Sequence, residues 1–233
     1  MKNNCTKTLR GWSLATAALL SAGVQAGGHF DVDDAGTLDP GQCQYEAWAS
    51  RAGSNPATHG LHLGPACRVG PVELGLNVDR FSTSGERATT YVGPQLKWTF
   101  YDQGADARVS AAMSAGATFD VTRGGRAGGQ LLLPVTWRAL DSLQLHANLG
   151  TDWATGTGVR TGRGGAQAEW AVNDTVSLIA ERNRAYGLWT SRIGARFSLT
   201  PLISIDVSAA RTGSGSGRIK SLVIGLNHEF SVR

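Results

Sequence analysis

Apolar and polar positions alternate along most of this chain. In "SLVIGLNHEF" (221–230), Leu222, Ile224, Leu226, His228 and Phe230 fall on one side, and Ser221, Val223, Gly225, Asn227 and Glu229 on the other. A period of two with unlike sides is the signature of a β-strand. The pattern recurs and predicts twelve strands, at about 41–51, 61–69, 72–82, 89–101, 107–121, 129–139, 142–154, 164–172, 176–186, 190–199, 202–211 and 219–230. Apolar sets such as Leu74/Leu76/Val78, Leu131/Leu133/Val135/Trp137 and Ile203/Ile205/Val207 alternate with polar neighbours such as Glu73, Asn77, Arg138 and Asp206. In strand nine, Leu178/Ala180/Arg182 and Ile179/Glu181 compete for the apolar side, so its phase stays open.

Two further patterns separate a membrane barrel from a soluble sandwich. Gly-, Ser-, Thr- and Arg-rich connections ("RAGSNPATHG", "TGTGVRTGRGG", "ARTGSGSGR") alternate with short ones ("GP", "LDS", "TPL"). Aromatics gather toward strand ends: Trp98, Phe100, Trp137, Trp170, Phe197 and Phe230 at the short-turn end, and Phe81, Tyr91, Phe119, Trp153, Tyr186 and Trp189 at the other. Outer-membrane barrels show both features, because rings settle at the two membrane–water interfaces and the periplasmic turns are short. The expected fold is therefore all-β, a closed antiparallel transmembrane β-barrel of about twelve strands. An even strand count puts both termini on one side, the periplasmic one.

The start of the chain reads as an export signal. Lys2, Lys7 and Arg10 precede the apolar run "WSLATAALLSAGV", and "VQA" (24–26) supplies a small-residue cleavage site. The expected organisation is a signal peptide over 1–26, a periplasmic N-terminal segment over 27–40 and the transmembrane barrel over 41–233. The full chain holds 22 Lys+Arg against 18 Asp+Glu; without the signal's three bases the balance is near neutral. With no basic-aromatic cluster besides, nothing points to nucleic acid. No other apolar stretch approaches the length of a membrane-spanning helix.

Cys43 and Cys67 remain after cleavage, about equally distant from the centre of the first long connection. In a regular hairpin they are cross-strand neighbours, and in an exported chain such a pair predicts a disulfide. The five histidines show no metal-ligand spacing, and neither a metal nor a cofactor is expected.

These features make the chain resemble a small Gram-negative outer-membrane β-barrel. Within that class, "DDAGTLDPGQCQYEAW" (33–48) resembles the mature N-terminus of transporter-like barrels associated with meta-pathway phenol degradation, through Asp34, Gly36, Thr37, Leu38, Pro40, Gly41 and Glu46. That resemblance implies passage of small solutes, aromatic ones among them; the cysteine pair departs from it. In size and strand count the chain also resembles the twelve-stranded porins for acidic oligosaccharides, without a shared motif.

Inward phasing predicts a lumen lined by Glu46, Arg68, Glu73, Lys97, Arg108, Arg138, His146, Asp152, Glu169, Arg192, Arg196, Asp206 and Glu229. Acids and bases that pair across the lumen would plug it, whereas acids and bases on opposite walls would orient polar solutes in a narrow channel; segregation is the expected arrangement. The long connections and their edges carry Arg87, Arg123, Arg126, Arg160, Arg163, Arg211 and Arg218, a rim suited to lipopolysaccharide phosphates or anionic solutes. Asp31, Asp33, Asp34 and Asp39 are read as acids of the opposite end.

The expected function is a passive outer-membrane channel or transporter for small solutes. Its expected partners are membrane lipid, lipopolysaccharide and the barrel-assembly machinery, which would engage the C-terminal strand. The alternatives are a closed-lumen structural or lipopolysaccharide-binding barrel and, third, a lipid hydrolase. No G-x-S-x-G occurs, and His146 is placed in the lumen, so no enzyme is expected.

Overall fold

A computed structural model describes residues 29–101, 107–155, 158–213 and 217–232; the expected signal peptide lies outside them. Twelve antiparallel strands form one closed barrel in chain order. They are β1 (Gln42–Ala52), β2 (Thr58–Val69), β3 (Val72–Thr83), β4 (Thr89–Tyr101), β5 (Val109–Asp120), β6 (Arg126–Leu140), β7 (Leu143–Ala154), β8 (Val159–Ala171), β9 (Val176–Ala185), β10 (Leu188–Thr200), β11 (Ile203–Thr212) and β12 (Ile219–Ser231). The barrel closes where β1 meets β12, from Gln42↔Ser231 to Ala52↔Ser221. Closure leaves no edge of unpaired N–H and C=O groups, which hydrocarbon could not satisfy.

The outside is apolar and the inside polar. Leu74, Leu76, Leu131, Leu133, Leu149, Leu178, Ile193, Val207, Leu222 and Ile224 are exposed, whereas Lys97, Ser114, His146, Asp152, Glu169, Arg196 and Asp206 are buried. An inverted pattern of this kind suits a wall with lipid outside. It also fixes strand nine, where Leu178 and Ala180 point out while Ser177, Ile179, Glu181 and Asn183 point in.

Aromatic placement follows expectation at one end and departs from it at the other. Trp98, Phe100, Trp137, Trp170, Phe197 and Phe230 are all exposed at what we call the lower end. At the upper end, Phe119, Trp153 and Trp189 share the outward phase. Phe81, Tyr91 and Tyr186 instead border an internal cavity.

The strands also run further into the upper connections than their Gly-rich composition suggested. Loops of 53–57, 84–88 and 121–125 remain there. β9 and β10 are joined by Tyr186 and Gly187 alone, both at positive φ (49° and 81°), the geometry of a tight hairpin turn. The contrast in loop length between the two ends is correspondingly narrower than the sequence implied.

Cys43 and Cys67 are registered partners joined by a disulfide, their Cα atoms 4.0 Å apart. Both are in the outward phase near the lower end. The bond therefore staples β1 to β2 next to the seam where β1 meets β12.

Candidate functional site: a lumen occupied by the N-terminal segment

Residues 29–38, from the segment expected in the periplasm, run inside the barrel, and Asp39 and Pro40 are exposed at its lower mouth. At Gly41 (φ 79°), with Gln42 N–H bonded to Asp39 O at 3.0 Å, the chain turns from the lumen into β1. The segment has no strand partner, so its backbone groups are met by wall side chains, as burial requires. Leu38 N–H donates to Glu73 (3.0 Å), and Leu38 O accepts from Arg68 (3.0 Å). Ala35 N–H donates to Thr136 Oγ1 (2.9 Å), and Ala35 O accepts from Thr99 (2.6 Å). Asn148 brackets Asp33, accepting from its N–H at 2.7 Å and donating to its carbonyl at 2.8 Å. The amides of Asp31 and Val32 both reach the Glu181 carboxylate at 3.0 Å, and His29 bonds Ser208 Oγ at 2.6 Å. Val32, Ala35 and Leu38 are almost fully buried.

Charge holds the same segment. Lys97 Nζ lies 2.8 Å from Asp33 and 3.0 Å from Asp34, and Arg192 bonds Asp31 at 2.7 Å and Glu181 at 2.8 Å. The wall makes room for it as well. A Cβ added to Gly165 would sit 2.9 Å from Val32, and one at Gly194 would sit 3.0 Å from Phe30.

The expected segregation of lumen charges is thus not what forms. Arg196 bonds Asp206 on the adjacent strand (2.8 and 3.1 Å) and lies 3.6 Å from Glu169. Bases and acids share the same wall because cross-strand neighbours in register meet directly, and desolvated charges are tolerable only when paired. Three aspartates read as rim acids, Asp31, Asp33 and Asp34, are counter-charges inside.

Most predicted lumen residues are brought together. Arg68, Glu73, Lys97 and Arg192 grip the segment, His146 bonds Thr136 at 2.9 Å, and Asp152, Glu169, Arg196 and Asp206 form pairs. Glu46 lines the internal cavity, while Arg138 and Glu229 are half-buried in the inward phase near the lower end. Arg108 is a correction: it stands exposed in the bend before β5, beyond the wall. Glu181 was missed because strand nine had two possible phases. Depth could have decided it, since Arg182, at the upper interface, can face outward at little cost.

The rim divides too. Arg87, Arg123, Arg126, Arg160, Arg211 and Arg218 are exposed. Arg163, expected with them, turns inward and pairs with fully buried Asp152 at 3.1 Å; the N–H of Tyr186 caps the same carboxylate at 2.7 Å.

Above the segment the lumen is open. A cavity of about 310 Å³ lies among Trp48, His62, Asn77, Gln95, Lys97 and Arg163. A second, of about 510 Å³, shares several of these residues and reaches Phe81, Tyr91 and Tyr186. Trp48 stacks on His62 (4.8 Å, 2° between planes), whose Nδ1 lies 2.7 Å from Asp79. Asn77 donates to Gln95 at 2.8 Å.

A closed barrel with an apolar exterior, a charged interior and its own N-terminal segment in the lumen defines a membrane-spanning β-barrel with an internal plug. The chain belongs to the family described as Uncharacterised conserved protein UCP029691, whose model matches residues 15–228. No curated protein sequence matches it. Among solved structures it is similar to the KdgM porin in complex with disordered oligogalacturonate (TM-score 0.61, 8% identity, 81% of this chain and 99% of that one). The NanC porin aligns with a TM-score of 0.60 at 11% identity, over 79% of this chain and 98% of that one. The COG4313 outer membrane channel from Pseudomonas putida F1 aligns with a TM-score of 0.58 at 13% identity, over 86% and 100%. At these identities the likeness is one of fold.

Proposed function

We propose that the protein is a passive outer-membrane channel for small polar solutes, held closed by residues 29–38. The observation that carries this reading is what blocks the lumen. Below the cavities the obstruction is a length of chain held by hydrogen bonds, ion pairs and the packing of Val32, Ala35 and Leu38, set against a largely polar wall and outside its hydrogen-bonded ladder. Such a segment can leave without breaking the barrel. The porin and channel folds that this barrel shares support the reading. In it the upper loops face outward, and the start of β1 and the end of β12 lie on the periplasmic side. Solutes enter the vestibule of Trp48, His62, Asn77 and Gln95, whose flat rings and amides suit polar, ring-containing molecules. The C-terminal strand, ending in the exposed Phe230, would engage the barrel-assembly machinery.

Non-enzymic action fits the placement of the histidines. His146 is buried in the lumen beneath the plug, away from lipid, and outward-facing His228 is engaged by Tyr45 Oη at 2.9 Å. The resemblance of 33–48 to phenol-degradation-associated barrels agrees with passage of small ring compounds. Those residues span the plug's second half and the start of β1.

Planar-bilayer recording tests the proposal. The refolded mature chain should be mostly silent with brief openings, and a chain lacking 27–38 should conduct steadily. Silence in both would sink the channel and favour the closed structural barrel, which the paired charges Arg196–Asp206 and Arg163–Asp152 favour in their own right.

A further inference from the structure

The outer wall carries a feature that the lumen does not use. One row of registered partners crosses the sheet from Val135 through Ala147, Ala166, Arg182, Ser191 and Arg211 to Lys220. All are in the outward phase. Strands tilt in a barrel, so a row perpendicular to them climbs the wall. Val135 lies in the lower half of β6, whereas Arg211 and Lys220 are each one residue from the upper ends of β11 and β12. A groove of about 1140 Å³ follows this row. Space for it is left because the residues along its floor are small: Ala147, Ala166, Ala168, Ala180 and Ala209. Its lower end is apolar, with Val135, Trp137 and Leu145. Its upper end is cationic, with Arg51, Arg182, Arg211 and Lys220.

All four cations are exposed, and none forms an ion pair among the described residues. Arg182 is held in place over the Trp189 ring at 4.9 Å and donates to Ser191 Oγ at 3.0 Å. Uncompensated cations on a lipid-facing wall are unfavourable except at head-group depth, and there a phosphate supplies the missing charge. A groove that is cationic at one end and apolar along its length matches a lipid that is phosphorylated at one end and acylated along its own.

We propose that this groove is a binding site for lipid A of the outer leaflet. Its phosphates are held by Arg51, Arg182, Arg211 and Lys220, and an acyl chain lies along the alanine floor toward Val135 and Leu145. The cationic end, on β9, β11, β12 and β1, differs from the loop arginines Arg123 and Arg126, which stand at the β5–β6 connection, across the barrel from β11 and β12. It rests on the outer-membrane orientation proposed above but not on conduction, so a failed current recording leaves it standing.

The test is native mass spectrometry of the refolded mature chain in detergent, titrated with diphosphoryl lipid A. One lipid should be retained per barrel. The variant Arg211→Ser/Lys220→Ser, checked for folding by heat-modifiable gel migration, should bind at least tenfold more weakly. Arg123→Ser/Arg126→Ser should bind like the parent. Ala166→Phe keeps every cation but fills the floor, and should also weaken binding at least tenfold. Dephosphorylated lipid A and phosphatidylglycerol should both bind at least fivefold more weakly than lipid A. Equal retention by the parent and by Arg211→Ser/Lys220→Ser would overturn the site. Equal retention of dephosphorylated lipid A by the parent would overturn the phosphate assignment, and equal retention of phosphatidylglycerol the choice of lipid A. Undiminished binding by Ala166→Phe would remove the groove from the account.

Discussion

The two sides of the lumen obey the same inward period of two and carry different chemistry. On β9–β11 the inward residues are Glu181, Arg192, Arg196, Asp206 and Ser208, nearly all buried, each bonded to a neighbour or to the N-terminal segment. On β1–β4, above the plug, they are Trp48, His62, Asn77, Asp79 and Gln95, half-buried around empty space. The first wall is built to hold something of fixed shape, because charge taken out of water needs a partner at a set distance. The second is built of rings and amides, which make interchangeable contacts with water or a solute. The difference separates a latch from a vestibule. Lys97 belongs to the latch although it stands on β4, since it faces Asp33 and Asp34 low in the barrel.

The sharpest way to break that comparison is to remove a latch charge that also holds the wall. Arg196→Met leaves Asp206 and Glu169 buried without their base, and should cost about 3–5 kcal/mol of barrel stability. Urea unfolding of the refolded barrel in detergent would show it, and Arg196→Met/Asp206→Leu should recover much of the loss. A loss below about 1 kcal/mol in the single variant would mean that water reaches this pair and that the wall is not latch-like.

Next comes the staple. Cys43→Ser/Cys67→Ser opens a link spanning a sequence separation of 24. The loss should be no more than about 3–4 kcal/mol by chain entropy, because register along β1 is also set by β12. The plug and the vestibule should be untouched, so conductance should not change.

Lys97→Met acts on the latch alone. It takes the counter-charge from Asp33 and Asp34, and should raise open probability about tenfold, equivalent to about 1.4 kcal/mol. Unchanged gating would show that the backbone bonds to Thr99, Thr136, Asn148 and Glu181 suffice. The smallest effect belongs to the vestibule: Trp48→Ala removes a ring stacked on His62 but no contact to the latch. It should enlarge the open-state current and leave the closed fraction as it was.

The wall was largely legible from the sequence, the lumen's contents were not, and the reason is physical. Each strand repeats an in–out signal along its length, so β4 and β7 could be phased from their own residues. Paired positions such as Cys43 and Cys67 followed from hairpin symmetry. Residues 29–40 carry no period, because a segment satisfied by side chains from many strands has no regular inside and outside. Its aspartates looked like rim acids since their partners, Lys97 and Arg192, lie 64 and 161 residues away. Glycines at 165 and 194 were a faint signal. A wall position without a side chain leaves room for something to approach, but only the folded barrel shows that it is Val32 and Phe30.

Occupancy of the lumen by the N-terminal segment is the central claim, and Thr99 reports on it directly. It faces inward, is 2% exposed, and is covered by Ala35. In a refolded Thr99→Cys barrel with the native disulfide intact, a bulky water-soluble maleimide should react slowly. The same cysteine in a chain lacking residues 27–38 should react at least tenfold faster. Rapid labelling with the segment present, or an equal rate with and without it, would contradict the account.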